Sequence, residues 1–182
     1  MLLQILFENR KKEETGNDCL LSIDGTYIRI ALPTCKQFYS KKSKKSAMRY
    51  EVGLCIKTGE ICWVNGGYPP GEKKDNMIFQ DALMDELKEG ERVETDMGYR
   101  ASAPKYATCP GTIWAEAKNK EIQNRVRARQ ETVNLRMKNW NILVAPYRHS
   151  VYQHQNVFLA IAVLTQLAIQ NGESLFDVEY ND

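Results

Sequence analysis

The sequence is poor in the features that commit a chain to secretion, to a membrane or to the common nucleotide and zinc motifs. Its five cysteines (Cys19, Cys35, Cys55, Cys62, Cys109) are odd in number and form no C-x-x-C pair. That reads as reduced thiols buried in strands, in the cytosol or nucleus, and not as a disulfide framework. There are only two histidines, His149 and His154. No cysteine or acid lies beside them at metal-ligand spacing, so a zinc site lacks support. Long apolar runs are missing. The longest, residues 157–169, is interrupted by Thr165 and Gln166 and is too short to span a bilayer. Residues 1–7 are apolar but lack the length and order of a signal peptide. A soluble protein with no membrane partner is expected. An excess of one charge is missing too: 25 basic and 23 acidic residues leave a net charge of +2, so any affinity for nucleic acid must come from local patches. No Walker loop, G-x-S-x-G or G-x-G-x-x-G occurs, which removes support for NTPase, α/β-hydrolase and dinucleotide readings.

What is present is a chain of 182 residues, 43% hydrophobic, enough for one domain with a real core. Residues 1–18 carry little pattern and read as a frayed or remnant segment, with the domain over 19–182. Residues 20–24 (Leu-Leu-Ser-Ile-Asp) suggest a buried strand, Gly25 a turn, and the alternating residues 26–32 a second strand. Residues 48–56 and 60–64 form a hairpin pattern around Lys57-Thr58-Gly59. Residues 65–71 read as a loop. Asp75 is placed to cap a helix running to about Leu87, where Phe79, Leu83 and Leu87 repeat at helical spacing. A short strand over 91–95 follows, then a loop over 101–111 with two prolines, and a helical region starting near Thr112. Residues 121–140 make an amphipathic helix with a stripe of Ile122, Val126, Val133, Met137 and Trp140. Ser150 with Gln153 forms a capping box for a last, largely apolar helix to about Gln170. Strands first, then helix, strand and two helices, predict a mixed α/β fold with helices on a mixed sheet.

Three acids stand out by position. Asp24 closes the first apolar run and precedes a glycine. Asp96 precedes Gly98 after the short strand. Glu131 lies within the long helix, with Arg127 and Asn134 on its face. Taken singly, each is an ordinary turn or surface acid. Taken together they suit phosphodiester chemistry, in which two divalent ions about 3.5–4 Å apart activate a water and stabilise the leaving oxygen. Hard cations take oxygen ligands from a few carboxylates, waters and phosphates. Basic residues sit nearby: Lys41, Lys42, Lys44 and Lys45 in a serine-rich loop, and Arg125, Arg127, Arg129, Arg136 and Lys138 on the third-acid helix. Phosphate contact and a plain solvated face are both open for them, and for the lysine loop a nuclear-import signal as well. Trp114 and Tyr99 offer stacking faces for bases, with core packing as the other reading.

In Ile23-Asp24-Gly25-Thr26, Thr95-Asp96-Met97-Gly98-Tyr99 and Arg127-Ala128-Arg129-Gln130-Glu131-Thr132-Val133-Asn134, with 34 residues between Asp96 and Glu131, the chain resembles the catalytic core of DDE-superfamily transposases. The likeness is to the Harbinger-like type and related bacterial insertion-sequence transposases, and runs from about Cys19 onward. It implies an RNase H-like sheet of about five strands with helices on both faces. It implies Asp24, Asp96 and Glu131 as catalytic and metal-holding residues, and Mg2+ or Mn2+ as cofactor. Double-stranded DNA (transposon ends and target) would be the substrate of cleavage and strand transfer. Such transposases usually carry an N-terminal helix-turn-helix, and residues 1–18 show no such pattern, so a separate DNA-binding partner protein is expected. A homo-oligomer and a nuclear location in a eukaryote, or a cytoplasmic one otherwise, complete the expectation. The alternative is a transposon-derived module that binds DNA or protein without catalysis.

Overall fold

The computed structural model describes residues 5–11, 19–33, 36–110 and 117–178. Its spine is β1 (Cys19–Arg29), eleven residues that run straight through Asp24 and Gly25. The expected turn at Gly25, and the two strands on either side of it, are therefore a single strand. Asp24 pairs with Val52 and Gly25 with Glu51 across an antiparallel partner, with no break in register from Leu21 to Arg29. Gly25 is needed for room and not for a turn, as the site below shows.

That partner is β3 (Lys45–Cys55), which also pairs with the short β2 (Tyr39–Ser40) at its start and with β4 (Ile61–Tyr68) along most of its length. The hairpin expected over residues 48–64 is present. Its second strand continues through Asn65-Gly66-Gly67, read from sequence as loop. The register shifts opposite Arg49 and Tyr50, and Gly66 sits at φ 145°, where an added Cβ would lie 2.6 Å from the Tyr50 backbone. A bulge with glycine at the close approach lets the strand persist. On the other side of β1 runs β5 (Arg92–Glu94), parallel to it, and beyond that β6 (Ala107–Thr108), parallel to β5. Two residues carry no alternation, which is why β6 was hidden in an apparent loop. The long path is thus β4-β3-β1-β5-β6, antiparallel on one side of β1 and parallel on the other.

Alternation along the strands builds a core on each face. Ile28, Tyr50, Val52 and Leu54 meet Val133 and Met137 of α3 (Ala117–Lys138), Leu143 of α4 (Asn141–Val144), and Phe158, Ile161 and Ile169 of α5 (Val151–Gln170). Leu21, Ile23 and Val93 meet Phe79 of α1 (Asp75–Gln80), Leu83 of α2 (Leu83–Glu86) and Tyr99 on the opposite face. The helix expected from Asp75 to Leu87 is therefore two pieces, parted at Ala82 (φ −144°, ψ −74°). Its N-cap is Lys74, and the Asp75 carboxylate is used elsewhere. The last helix has the expected bounds, but Ser150 makes no side-chain cap bond. Trp140 falls outside the buried stripe at 40% exposure. Tyr99 is core, edge-on to Phe79, and so gives no stacking surface. Trp114 lies outside the described residues. Cys19, Cys55, Cys62 and Cys109 are all buried in the strands or beside them, as expected.

Phe7–Lys11 forms a single 3-10 turn against the sheet. Phe7 meets Trp63 edge-on, and the buried Arg10 guanidinium pairs with Glu91 at 2.7 Å.

Candidate active site

The parallel register of β1 and β5 makes the site. Ser22 pairs with Glu94, and two residues on from that pair come Asp24 within β1 and Asp96 just past the end of β5. Asp96 is just past β5, where it caps the 3-10 turn Met97–Ser102 by accepting from the Gly98 N–H at 2.7 Å. Open sheets receive ligands beyond the carboxyl ends of parallel strands; β5 ends here, while β1 continues to Arg29.

A cleft of about 580 Å³ opens there between the sheet and α3. Its lining brings together Asp24, Asp96 and Glu131, the three acids singled out in sequence, with Lys42, Arg127 and Lys138 as the cations around them. Asp24 is half-buried, whereas Asp96 and Glu131 are exposed. Burial, then the Asp96 charge, pushes the Asp24 carboxyl up to about 6, with Lys42 opposing. Burial, joined by Lys42 and opposed by Asp24, lowers the Lys138 ammonium. On the cleft's inner wall the Glu94 carboxyl is pushed up to about 7 by burial, against the pull of Arg127.

The remaining basic residues divide. Lys41, Lys44 and Lys45 are exposed around the β2–β3 turn, outside the cleft lining. Arg125 donates to the Asp177 carbonyl at 2.6 Å. Arg129 is 3% exposed and bonds the carbonyls of Cys55, Ile56 and Phe176. Arg136 holds the Glu173 and Ser174 carbonyls. These three arginines tether the segment after α5 along α3, a role that helical spacing could not reveal.

Two polar residues at the site escaped the sequence reading as site residues. Asn134 donates to the Asp24 Oδ2 at 2.8 Å. Asp75 reaches from the start of α1 to the backbone under Asp24. A Cβ on Gly25 would lie 2.4 Å from the Asp75 Oδ1, and one on Gly98 would lie 3.5 Å from its Oδ2. Arg49, anchored on the Tyr27 hydroxyl and the Lys73 carbonyl, sits with its Nε 3.4 Å from the Asp75 Oδ1. The one signal in the sequence was a glycine shortly after each aspartate.

The lining offers carboxylate and amide oxygens as ligands and no histidine or cysteine, which suits a hard divalent cation better than a soft one. Among the described residues no three acid, histidine or cysteine side chains gather as a finished ligand cluster. Two neighbouring carboxylates, with water and phosphate oxygens filling the other positions, match the way magnesium is usually held.

A six-stranded sheet, antiparallel among β1 to β4 and parallel from β1 through β5 to β6, with an acid on β1 and one just past β5, defines an RNase H-like nuclease fold. A family model described as DDE superfamily endonuclease matches residues 23–166, and the chain belongs to that family. No curated protein and no solved structure matches the chain.

Proposed function

We propose that the chain is a divalent-metal-dependent DNA endonuclease and strand transferase, the catalytic core of a transposase. The observation that carries this reading is the shared cleft of Asp24, Asp96 and Glu131, drawn from β1, the turn after β5 and α3, which are distant in sequence. Membership of an endonuclease family supports it.

In this reading Asp24 and Asp96 hold Mg2+ or Mn2+, and Glu131 completes a second position from α3. The bound cation supplies an activated water and stabilises charge on the leaving oxygen. The chain's own residues orient the DNA. Lys42, Arg127 and Lys138 flank the acids and are placed to meet phosphates, while Lys41, Lys44 and Lys45 extend the basic surface beside them. The raised Asp24 carboxyl fits a site that awaits positive charge, because a cation next to a carboxylate favours its ionised form. The substrate is double-stranded DNA, transposon ends and target. In a eukaryote the place of action is the nucleus.

The test is nicking of supercoiled plasmid by the full chain in Mg2+ or Mn2+, with and without chelator, against Asp24→Asn. Cation-dependent nicking that Asp24→Asn abolishes is expected. Equal nicking by both proteins, or none by either, contradicts the reading. In that last case, salt-sensitive DNA binding that survives loss of the acids would favour a non-catalytic module.

A further inference from the structure

The polar face that α3 turns toward β1 is a ladder in register with the strand. Four residues along a helix advance roughly 6 Å, and two along a strand roughly 6.6–6.8 Å, so every fourth helix residue can meet every second strand residue. Gln130 accepts from the Ser22 hydroxyl at 2.8 Å and donates to the Val52 carbonyl at 3.0 Å. One helical turn on, Asn134 donates from its Nδ2 to the Asp24 Oδ2 at 2.8 Å. One turn further, Lys138 lies in the field of Asp24. Glu131 is one position off this ladder and faces the open cleft.

The middle rung is unlike its neighbours. Asn134 is 6% exposed, lines the cleft and has a second polar atom, Oδ1, that is buried without a hydrogen-bond partner among the described residues. A buried amide with one end satisfied by a carboxylate and the other end bare is costly unless the bare end has work to do. A Leu or Met at this position would pack against β1 without that cost.

We propose that Asn134 is a positioning residue for Asp24. Its N–H pins one carboxylate oxygen to α3, so that the other faces the cation in the cleft, and its bare Oδ1 is an acceptor for the water around that cation. The inference rests on the acid-cleft reading and adds to it a fixed orientation of the first acid, supplied by the helix that carries the third. Outer partners of metal-holding carboxylates act this way, and their loss typically costs about 10–100-fold in metal affinity.

The test is Mn2+ affinity of the full chain, read from the electron paramagnetic resonance signal of free ion. It is measured for wild type, Asn134→Leu, Asn134→Ala and Asp24→Asn, each with its thermal melting curve. Leu keeps the volume and Ala removes it, while both remove the donor. Both are expected to weaken Mn2+ binding about tenfold, by similar factors despite different effects on melting, and Asp24→Asn to weaken it further. Wild-type affinity in both Asn134 variants, with binding lost in Asp24→Asn, would overturn this inference alone. So would a loss in only one of them, which marks packing. Wild-type affinity in Asp24→Asn would overturn the acid-cleft reading itself.

Discussion

Gly25 illustrates how one residue can be read correctly as special and wrongly as to why. Glycine after an apolar run and an acid commonly marks a turn. Here the backbone stays extended and paired, and the missing side chain is filled by the Asp75 carboxylate. Gly25→Ala should therefore lower stability by about 1–3 kcal/mol, the usual range for forced overpacking. Urea unfolding of Gly25→Ala, Asp75→Ala and the double variant would check it. The double variant should be markedly less destabilised than the sum of the two, since the clash partner is gone. Strict additivity would return the glycine to a backbone role. His154 supports a second prediction at this scale. It is fully buried, 2.6 Å from the Tyr50 hydroxyl through Nδ1, and burial holds its imidazolium down to about 4. The unfolded chain then binds more protons than the folded one between about pH 6.5 and 4, so stability falls as pH drops through that window. The loss approaches about 3 kcal/mol at its lower end. The acid limb of a melting-temperature profile should be shallower for His154→Phe than for wild type, and parallel limbs would contradict it.

Among elements, α3 does two jobs on two faces. One face, with Gln130, Asn134 and Lys138, meets β1 at the acid site. The other, with Arg125, Arg129 and Arg136, grips carbonyls of the segment after α5, whose Val178 is 2% exposed beside Ile56 and Val126. An arginine-rich helix thus commits three of its arginines to holding the fold, and Arg127 is left at the cleft. Arg129→Ala should cost about 2–4 kcal/mol in urea unfolding, because it strands buried carbonyls. Arg127→Ala should leave stability within about 0.5 kcal/mol. It should weaken DNA binding and flatten the salt dependence by about one unit of slope. The reverse pattern would mean that the two faces of α3 have been exchanged. The length and buried stripe of this helix could be read from its period. Which of its arginines were free could not, because that depends on where the chain returns after α5.

At the scale of the molecule, the order of elements and the order of acids were both legible. The hairpin of β3 and β4, the last helix and the three acids follow from alternation, helical period and family likeness. What stayed hidden was whatever depends on contact across the sheet: the unbroken β1, the two-residue β6, the split of the helix after Asp75, and the roles of Asn134 and Asp75. Each lacks a periodic signal of its own and is fixed by a distant neighbour. The proposed cation site, Asp24 and Asp96 with Glu131 across the cleft, depends on such a contact, the pairing of β1 with β5. Its most direct test is anomalous diffraction from crystals of the full chain soaked in Mn2+. A manganese peak is expected within about 2–2.5 Å of Asp24 and Asp96 carboxylate oxygens. Peaks confined to other acids, with Asp24 and Asp96 bare at saturating Mn2+, would contradict it.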